Sequence, residues 1–177
     1  PIGKELDSLA DLITFGFAPA AITSGIIQHI LFSGVWFEND PLTVYEYTLV
    51  FFPYIMVAFS ALRLAKFNLD TRQSHSFIGL PTPANAIFFA SFAFLPNLDD
   101  IPVELIDVLC LVFSILLVAE IPMFSLKFKN GSWAANKTRY IFLALSVVLL
   151  AVFQISAFMY IMICYILVSI IDDIINK

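Results

Sequence analysis

Of 177 residues, 60% are hydrophobic and only 13% charged, and nineteen are Phe; the mean hydropathy is +0.93. A soluble domain carries about a quarter charged residues, so lipid is the simplest solvent for this chain. The net charge of −5 comes without any basic run or stripe, which argues against nucleic acid as a partner.

The chain opens on Pro1, directly before a polar–apolar helix. No basic segment leads into a short apolar one with a small-residue cleavage site, so this start does not read as a signal peptide, and an upstream portion is expected. Gly3, Asp7 and Asp11 follow, each four residues apart. On a helix they lie one above another along one face. Two stacked carboxylates repel unless something positive lies beside them, and a hard divalent cation such as Mg²⁺ or Mn²⁺ takes oxygen ligands of this kind. Gly3 leaves room for close approach to the backbone. The plainer alternative is that both acids decorate a helix N-terminus, where negative charge is favourable. Asp11 fits that alternative less well, because Leu12-Ile-Thr-Phe follows at once and ionisable groups at that depth are costly.

Six apolar segments then follow, at Leu12–Trp36, Val44–Leu62, Ala84–Leu95, Val103–Phe124, Tyr140–Phe153 and Ser156–Ile171. A spanning helix needs about 20 residues, so the third, fifth and sixth are short. The third can be lengthened through Pro81 and Pro83, and the last two can instead form one re-entrant or kinked hairpin. The loops between these segments alternate in charge. Lys4 precedes the first span, Arg63, Lys66 and Arg72 follow the second, Lys127, Lys129, Lys137 and Arg139 follow the fourth, and Lys177 ends the chain. With six spans, all nine cations fall on one side, which the positive-inside rule makes cytoplasmic. Both termini are then cytoplasmic. No repeat or linker divides the chain, so residues 1–177 read as a single integral membrane domain, an all-α bundle of about six spans.

Within that frame, Arg63 and Lys66 share a helix face and suit a carboxylate or phosphate, Arg63 bidentately; ordinary positive-inside anchoring is the alternative. Asn68 binds a ligand or caps the helix end. Thr82 is a candidate N-cap after a rigid Gly79–Pro83 loop. Asn85 opens an apolar span, where an unpaired amide is costly, and it bonds a neighbouring helix or reaches substrate. His29 is expected to pack or hydrogen-bond between helices, His75 to be solvated, and Glu120 to pair with Lys127 or with the Arg63–Arg72 loop. Cys110 and Cys164 lie in apolar stretches and read as small buried hydrophobes.

Gly3, Asp7 and Asp11 fill the second half of a pattern, D-x2-D-G-x2-A-R-x(8–9)-G-x3-D-x3-D, and so resemble the CDP-alcohol phosphotransferases. Four further segments are similar to the phosphatidylserine synthase branch: Leu6–Ala20 (LDSLADLITFGFAPA), Arg63–Leu69 (RLAKFNL), Phe77–Asn85 (FIGLPTPAN) and Pro122–Lys129 (PMFSLKFK). The resemblance covers nearly the whole chain. It implies transfer of a phosphatidyl group from CDP-diacylglycerol to L-serine with release of CMP, at a site on the cytoplasmic side of the cell membrane. It implies Mg²⁺ or Mn²⁺ held by Asp7 and Asp11, Asp11 also as general base, and Gly3 beside the nucleotide. It places the Gly79–Pro83 segment, with Thr82, near the active site, where Arg63, Lys66, Asn68 and Asn85 are candidate substrate-binding residues by their own chemistry, and it implies a homodimer. The first half of the pattern is absent, so this chain is expected to be part of an eight-helix protein and inactive alone. Two other functions are open: another member of the family, using glycerol phosphate, inositol or an archaeal-type lipid donor, and a small cation-binding transporter or channel subunit. A transporter would bury charge near the midplane or show repeated halves, whereas nearly all the acids here lie near the surfaces and no repeat is visible.

Overall fold

The computed structural model describes residues 2–32, 43–69, 77–126 and 133–175. Helix α1 (Ile2–Leu12) continues through a π-helical turn (Ile13–Phe17) into α2 (Ala18–Phe32), giving one rod of 31 residues. This rod begins ten residues before the expected first span, so Asp7 and Asp11 stand on regular helix. In the π turn, Gly16 lets the rod press on the next one: a Cβ there would stand 3.1 Å from Cβ of Ser60.

Helix α3 (Val44–Phe51) starts at a reciprocal cap. The Glu46 amide donates to the Thr43 hydroxyl at 3.3 Å, and the Thr43 amide donates to the Glu46 carboxylate at 2.7 Å, satisfying two amides that helix geometry leaves without partners. Pro53 cannot donate to the ladder, and the rod passes through a 3₁₀ turn (Phe52–Tyr54) into α4 (Ile55–Leu69). Strand β1 (Phe77–Ile78) precedes α5 (Thr82–Ser91), which ends in a 3₁₀ turn (Phe92–Phe94). Then come α6 (Val103–Val118), β2 (Pro122–Met123), α7 (Trp133–Phe153) and α8 (Ala157–Ile175). The two strands pair antiparallel, with Ile78 opposite Pro122.

A 3₁₀ turn (Gln154–Ser156) links α7 and α8, with Gln154 in the left-handed region at φ 53°. The Thr138 hydroxyl donates to Asp172 at 2.7 Å. A straight helix would separate those residues by about 50 Å, so α7 and α8 form a hairpin. The tight turn expected there is present.

Helix α4 packs on α6, and α5 packs on α2 and α8. The centre is aromatic: Phe88 of α5 stacks on Phe113 of α6 with ring centroids 4.0 Å apart, and Phe89 and Phe92 meet Phe88 edge-on. Hydroxyls of Thr23, Thr48, Ser91, Ser146 and Ser169 bond carbonyls one turn earlier in their own helices, as a medium without water requires. Meanwhile α7 turns Ile141, Leu145, Val148 and Val152 outward, a stripe that water would not tolerate on this scale.

Three stretches, Ile2–Phe32, Val44–Leu69 and Asn136–Ile174, are long and apolar enough to cross a membrane. The expectation of six crossings is thus met in part. The last stretch lies within the hairpin of α7, which is kinked at Asn136, and α8; these helices have 21 and 19 residues, more than the apolar segments expected there. Helix Thr82–Phe94 remains short, and α6, expected to run to Phe124, has 16 residues and ends at Val118. The cause lies at Pro122, which favours an extended residue before it and enters β2 instead. Glu120 therefore lies outside the helix, exposed; its expected partners Lys127 and Arg72 fall outside the described residues, as do His75, Lys129 and Lys177.

Candidate active site

The residues singled out by sequence gather, in large part, at one end of the bundle. Helix α1 is tied to the end of α4 by two bonds. The Lys4 ammonium donates to the Asn68 carbonyl at 3.2 Å, and the Asn68 amide donates to the Ser8 hydroxyl at 2.9 Å. Asn68 is therefore a clasp between helices, a role that neither of its two expected readings, ligand group or cap, had included. Lys4 and Ser8 occupy the flank of α1 that meets α4, so Gly3 and Asp7 lie on the adjoining flank, exposed; Asp11 is half-buried just before the π turn. A Cβ on Gly3 would meet nothing within 4 Å, so the space beside the carboxylates is open. Asn68→Ala is expected to loosen α1 by about 1 kcal/mol, read as faster amide exchange over residues 2–11 with α5 and α6 unchanged.

Carboxylate oxygens are the right donors for a hard divalent cation, which surrounds itself with about six oxygens. Asp7 and Asp11 offer two such carboxylates, four residues apart on α1. Among the described residues no group of three or more His, Cys, Asp or Glu side chains that could hold a metal ion is present.

The cations of α4 are held by backbone. Arg63 is buried, its Nε donating to the Leu80 carbonyl at 3.4 Å and its guanidinium 5.5 Å from the Phe67 ring centroid. Lys66 donates to the Val118 carbonyl at 3.1 Å, where a cation also complements the helix C-terminus. The shared face is borne out, since both reach toward the end of α6. Thr82 is buried but does not cap α5: Pro81 is the N-cap, with no side-chain bond, and Thr82 is the first helical residue. Proline needs no amide partner there and favours the extended backbone a cap requires. Asn85 is fully buried; its Nδ2 lies 3.8 Å from the Met56 sulfur, and its Oδ1 has no partner among the described residues. It faces a neighbouring helix, one of its two expected roles.

Several features here were not singled out from sequence. Arg139 donates to the Ser125 carbonyl at 2.8 Å and to Asn136 at 3.3 Å, which pins the start of α7 to the segment after β2. Next to Ser125, an open apolar groove of about 650 Å³ runs between α5, α7 and α8, lined by Pro83, Ile87, Phe124, Phe142, Phe158 and Met162 among others. At the opposite end of the bundle His29, expected to pack or hydrogen-bond between helices, is instead exposed and lies 3.4 Å from Asp99 in a turn, and the Tyr45 hydroxyl donates to Glu104 at 2.9 Å. Asp107, one turn into α6, is buried with Oδ1 unpartnered among the described residues; a lone acid inside an apolar run was its signal.

Comparison with known proteins gives relatives over part of the chain. It is 37% identical over 97 residues to a CDP-diacylglycerol–serine O-phosphatidyltransferase of Helicobacter pylori, a match covering 54% of this chain and 35% of the relative. The enzyme of the same description from Bacillus subtilis is 33% identical over 97 residues, covering 54% and 46%. An archaetidylserine synthase of Methanothermobacter thermautotrophicus is 34% identical over 90 residues, covering 51% and 32%. The matched stretch thus spans less than half the length of each of these relatives. No family profile and no solved structure matches. Over about half its length, the chain is thus similar to proteins described as CDP-diacylglycerol–serine O-phosphatidyltransferases and as an archaetidylserine synthase.

Proposed function

We propose that this chain carries part of the catalytic centre of a phosphatidylserine synthase, transferring the phosphatidyl group of CDP-diacylglycerol to L-serine. The observation that supports the proposal is the clasp from Lys4 and Ser8 to Asn68, which ties α1, the helix that bears Asp7 and Asp11, to α4, the helix that bears Arg63 and Lys66. An acidic face for a metal and a basic face for anions are what a diphosphate and an amino acid require together.

In this reaction the serine hydroxyl oxygen bonds to the phosphatidyl phosphorus. The bond from that phosphorus to the oxygen shared with the CMP phosphate breaks, and CMP leaves. Asp11, as general base, accepts the hydroxyl proton. Asp7 and Asp11 would hold Mg²⁺ or Mn²⁺, which when bound neutralises charge on the diphosphate. Arg63 and Lys66 hold the anionic groups of the substrates, Gly3 leaves space for the nucleotide, and Asn68, Thr82 and Asn85 shape the acceptor side. The apolar groove holds an acyl chain of the lipid. Six spans, a cytoplasmic site by the positive-inside rule and a homodimer complete the reading. The similarity to an archaetidylserine synthase favours one variant, an archaeal-type lipid donor.

The test uses the full-length polypeptide in detergent with CDP-diacylglycerol, Mn²⁺ or Mg²⁺, and labelled serine. Serine-dependent CMP release that stops on chelation and returns with added cation is expected. Release with glycerol phosphate or inositol but not serine would move the chain to another branch. No release with any acceptor would overturn the proposal.

A further inference from the structure

We propose that Gly79 is a positioning residue for Arg63, acting through the Leu80 carbonyl; this rests on reading Arg63 as the cation that holds a substrate anion. The segment Gly79–Leu80 lies across the end of α6. The Gly79 amide donates to the Ile121 carbonyl at 2.8 Å and the Leu80 amide to the Leu116 carbonyl at 2.9 Å. The Leu80 side chain is wholly buried. With its amide and side chain so fixed, Leu80 has its carbonyl left to accept from Arg63 Nε, at 3.4 Å.

Only glycine permits this placement. Gly79 has φ +78°, and a Cβ there would stand 2.6 Å from the Leu117 carbonyl oxygen and 2.8 Å from that of Ala119. Both are backbone atoms at the end of a helix, and neither can swing aside as a flexible side chain would. A residue with a side chain must therefore lift Gly79–Leu80 off α6 and carry the Leu80 carbonyl with it. Lys66 is held differently, by the Val118 carbonyl of α6 and not by a carbonyl of the Gly79–Leu80 segment. The two cations of α4 thus have separate tethers, and a change at Gly79 moves one and spares the other. A guanidinium already fixed in place loses less freedom when an anion binds, which is how preorganisation raises affinity.

The experiment compares wild type, Gly79→Ala, Arg63→Gln and the double variant, as full-length protein in detergent, by two readouts. In the first, arginines are modified with phenylglyoxal and quantified by peptide mass spectrometry. Arg63 should react about fivefold faster in Gly79→Ala, while Arg139 reacts at the wild-type rate. Unchanged Arg63 labelling, or an equal rise at Arg139, overturns the proposal. This readout needs no turnover, so it decides the matter even if serine transfer fails. In the second, Gly79→Ala should raise KM for serine about tenfold with kcat within about threefold, and should have no further effect on the Arg63→Gln background. The same KM change on that background overturns the proposal. If Gly79→Ala does not purify folded, Leu80→Ala keeps the glycine backbone, removes the buried anchor and carries the same expectations.

Discussion

Replacing Asp11 by Asn in the full-length protein is expected to lower serine-dependent CMP release by about three orders of magnitude, within the range that loss of a general base produces. Asn keeps the size and polarity of the side chain but can neither accept the proton nor carry the negative charge that a divalent cation requires. Asp11 is the more sensitive of the two carboxylates because of its place. It is half-buried at the junction of α1 and the π turn, whereas Asp7 is exposed one turn away. Asp7→Asn should therefore act chiefly on the cation concentration needed for half-maximal rate. Steady-state CMP release across a Mn²⁺ titration separates the two effects. An Asp11→Asn protein retaining a tenth or more of the wild-type rate would remove Asp11 from the chemistry.

Phe88→Ala is expected to cost about 3 kcal/mol, at the lower end of the range for a buried phenylalanine. Phe88 is 1% exposed and has ring neighbours at 4.0, 5.1 and 5.4 Å in Phe113, Phe89 and Phe92. In a bilayer the transfer part of that cost shrinks, because lipid tails are as apolar as the core. The cavity part persists, since the rings around it cannot collapse fully without leaving their contacts. Unfolding by SDS in mixed micelles measures the difference. Leu105→Ala, at an outward-facing position of α6, is the control, expected to stay within about 0.5 kcal/mol of wild type. Equal costs at the two positions would mean that the aromatic cluster does not hold α5 to α6.

The long helices were legible because lipid leaves so few alternatives: an apolar run must close its own backbone bonds. Asp7 and Asp11 stood out for the same reason, as charges at the edge of such a run. What escaped was everything made by backbone in three dimensions. Nothing in the order of residues says that Val118 and Leu80 carbonyls will hold Lys66 and Arg63, for carbonyls are the same at every position. Thr82 looked like a cap because hydroxyls usually are, yet Pro81 took the position without needing a partner. Asn68 was read as a ligand group or a helix-end cap, and its bond across to Ser8 depends on the approach of α1, which sequence order does not show. The end of α6 was misjudged because hydropathy continues through Ile121–Phe124 while Pro122 forbids the helix.

The groove between α5, α7 and α8 is open and apolar, and the reading that it takes an acyl chain bears on how a lipid would be supplied to it. A molecule entering sideways never leaves its leaflet, so it is recruited by diffusion in a plane. What sets its occupancy is then the mole fraction of that lipid among its neighbours, and the volume of water around the membrane drops out. Such a protein samples the composition of the membrane it sits in, and a leaflet crowded with other lipids slows it as surely as a scarcity of its own.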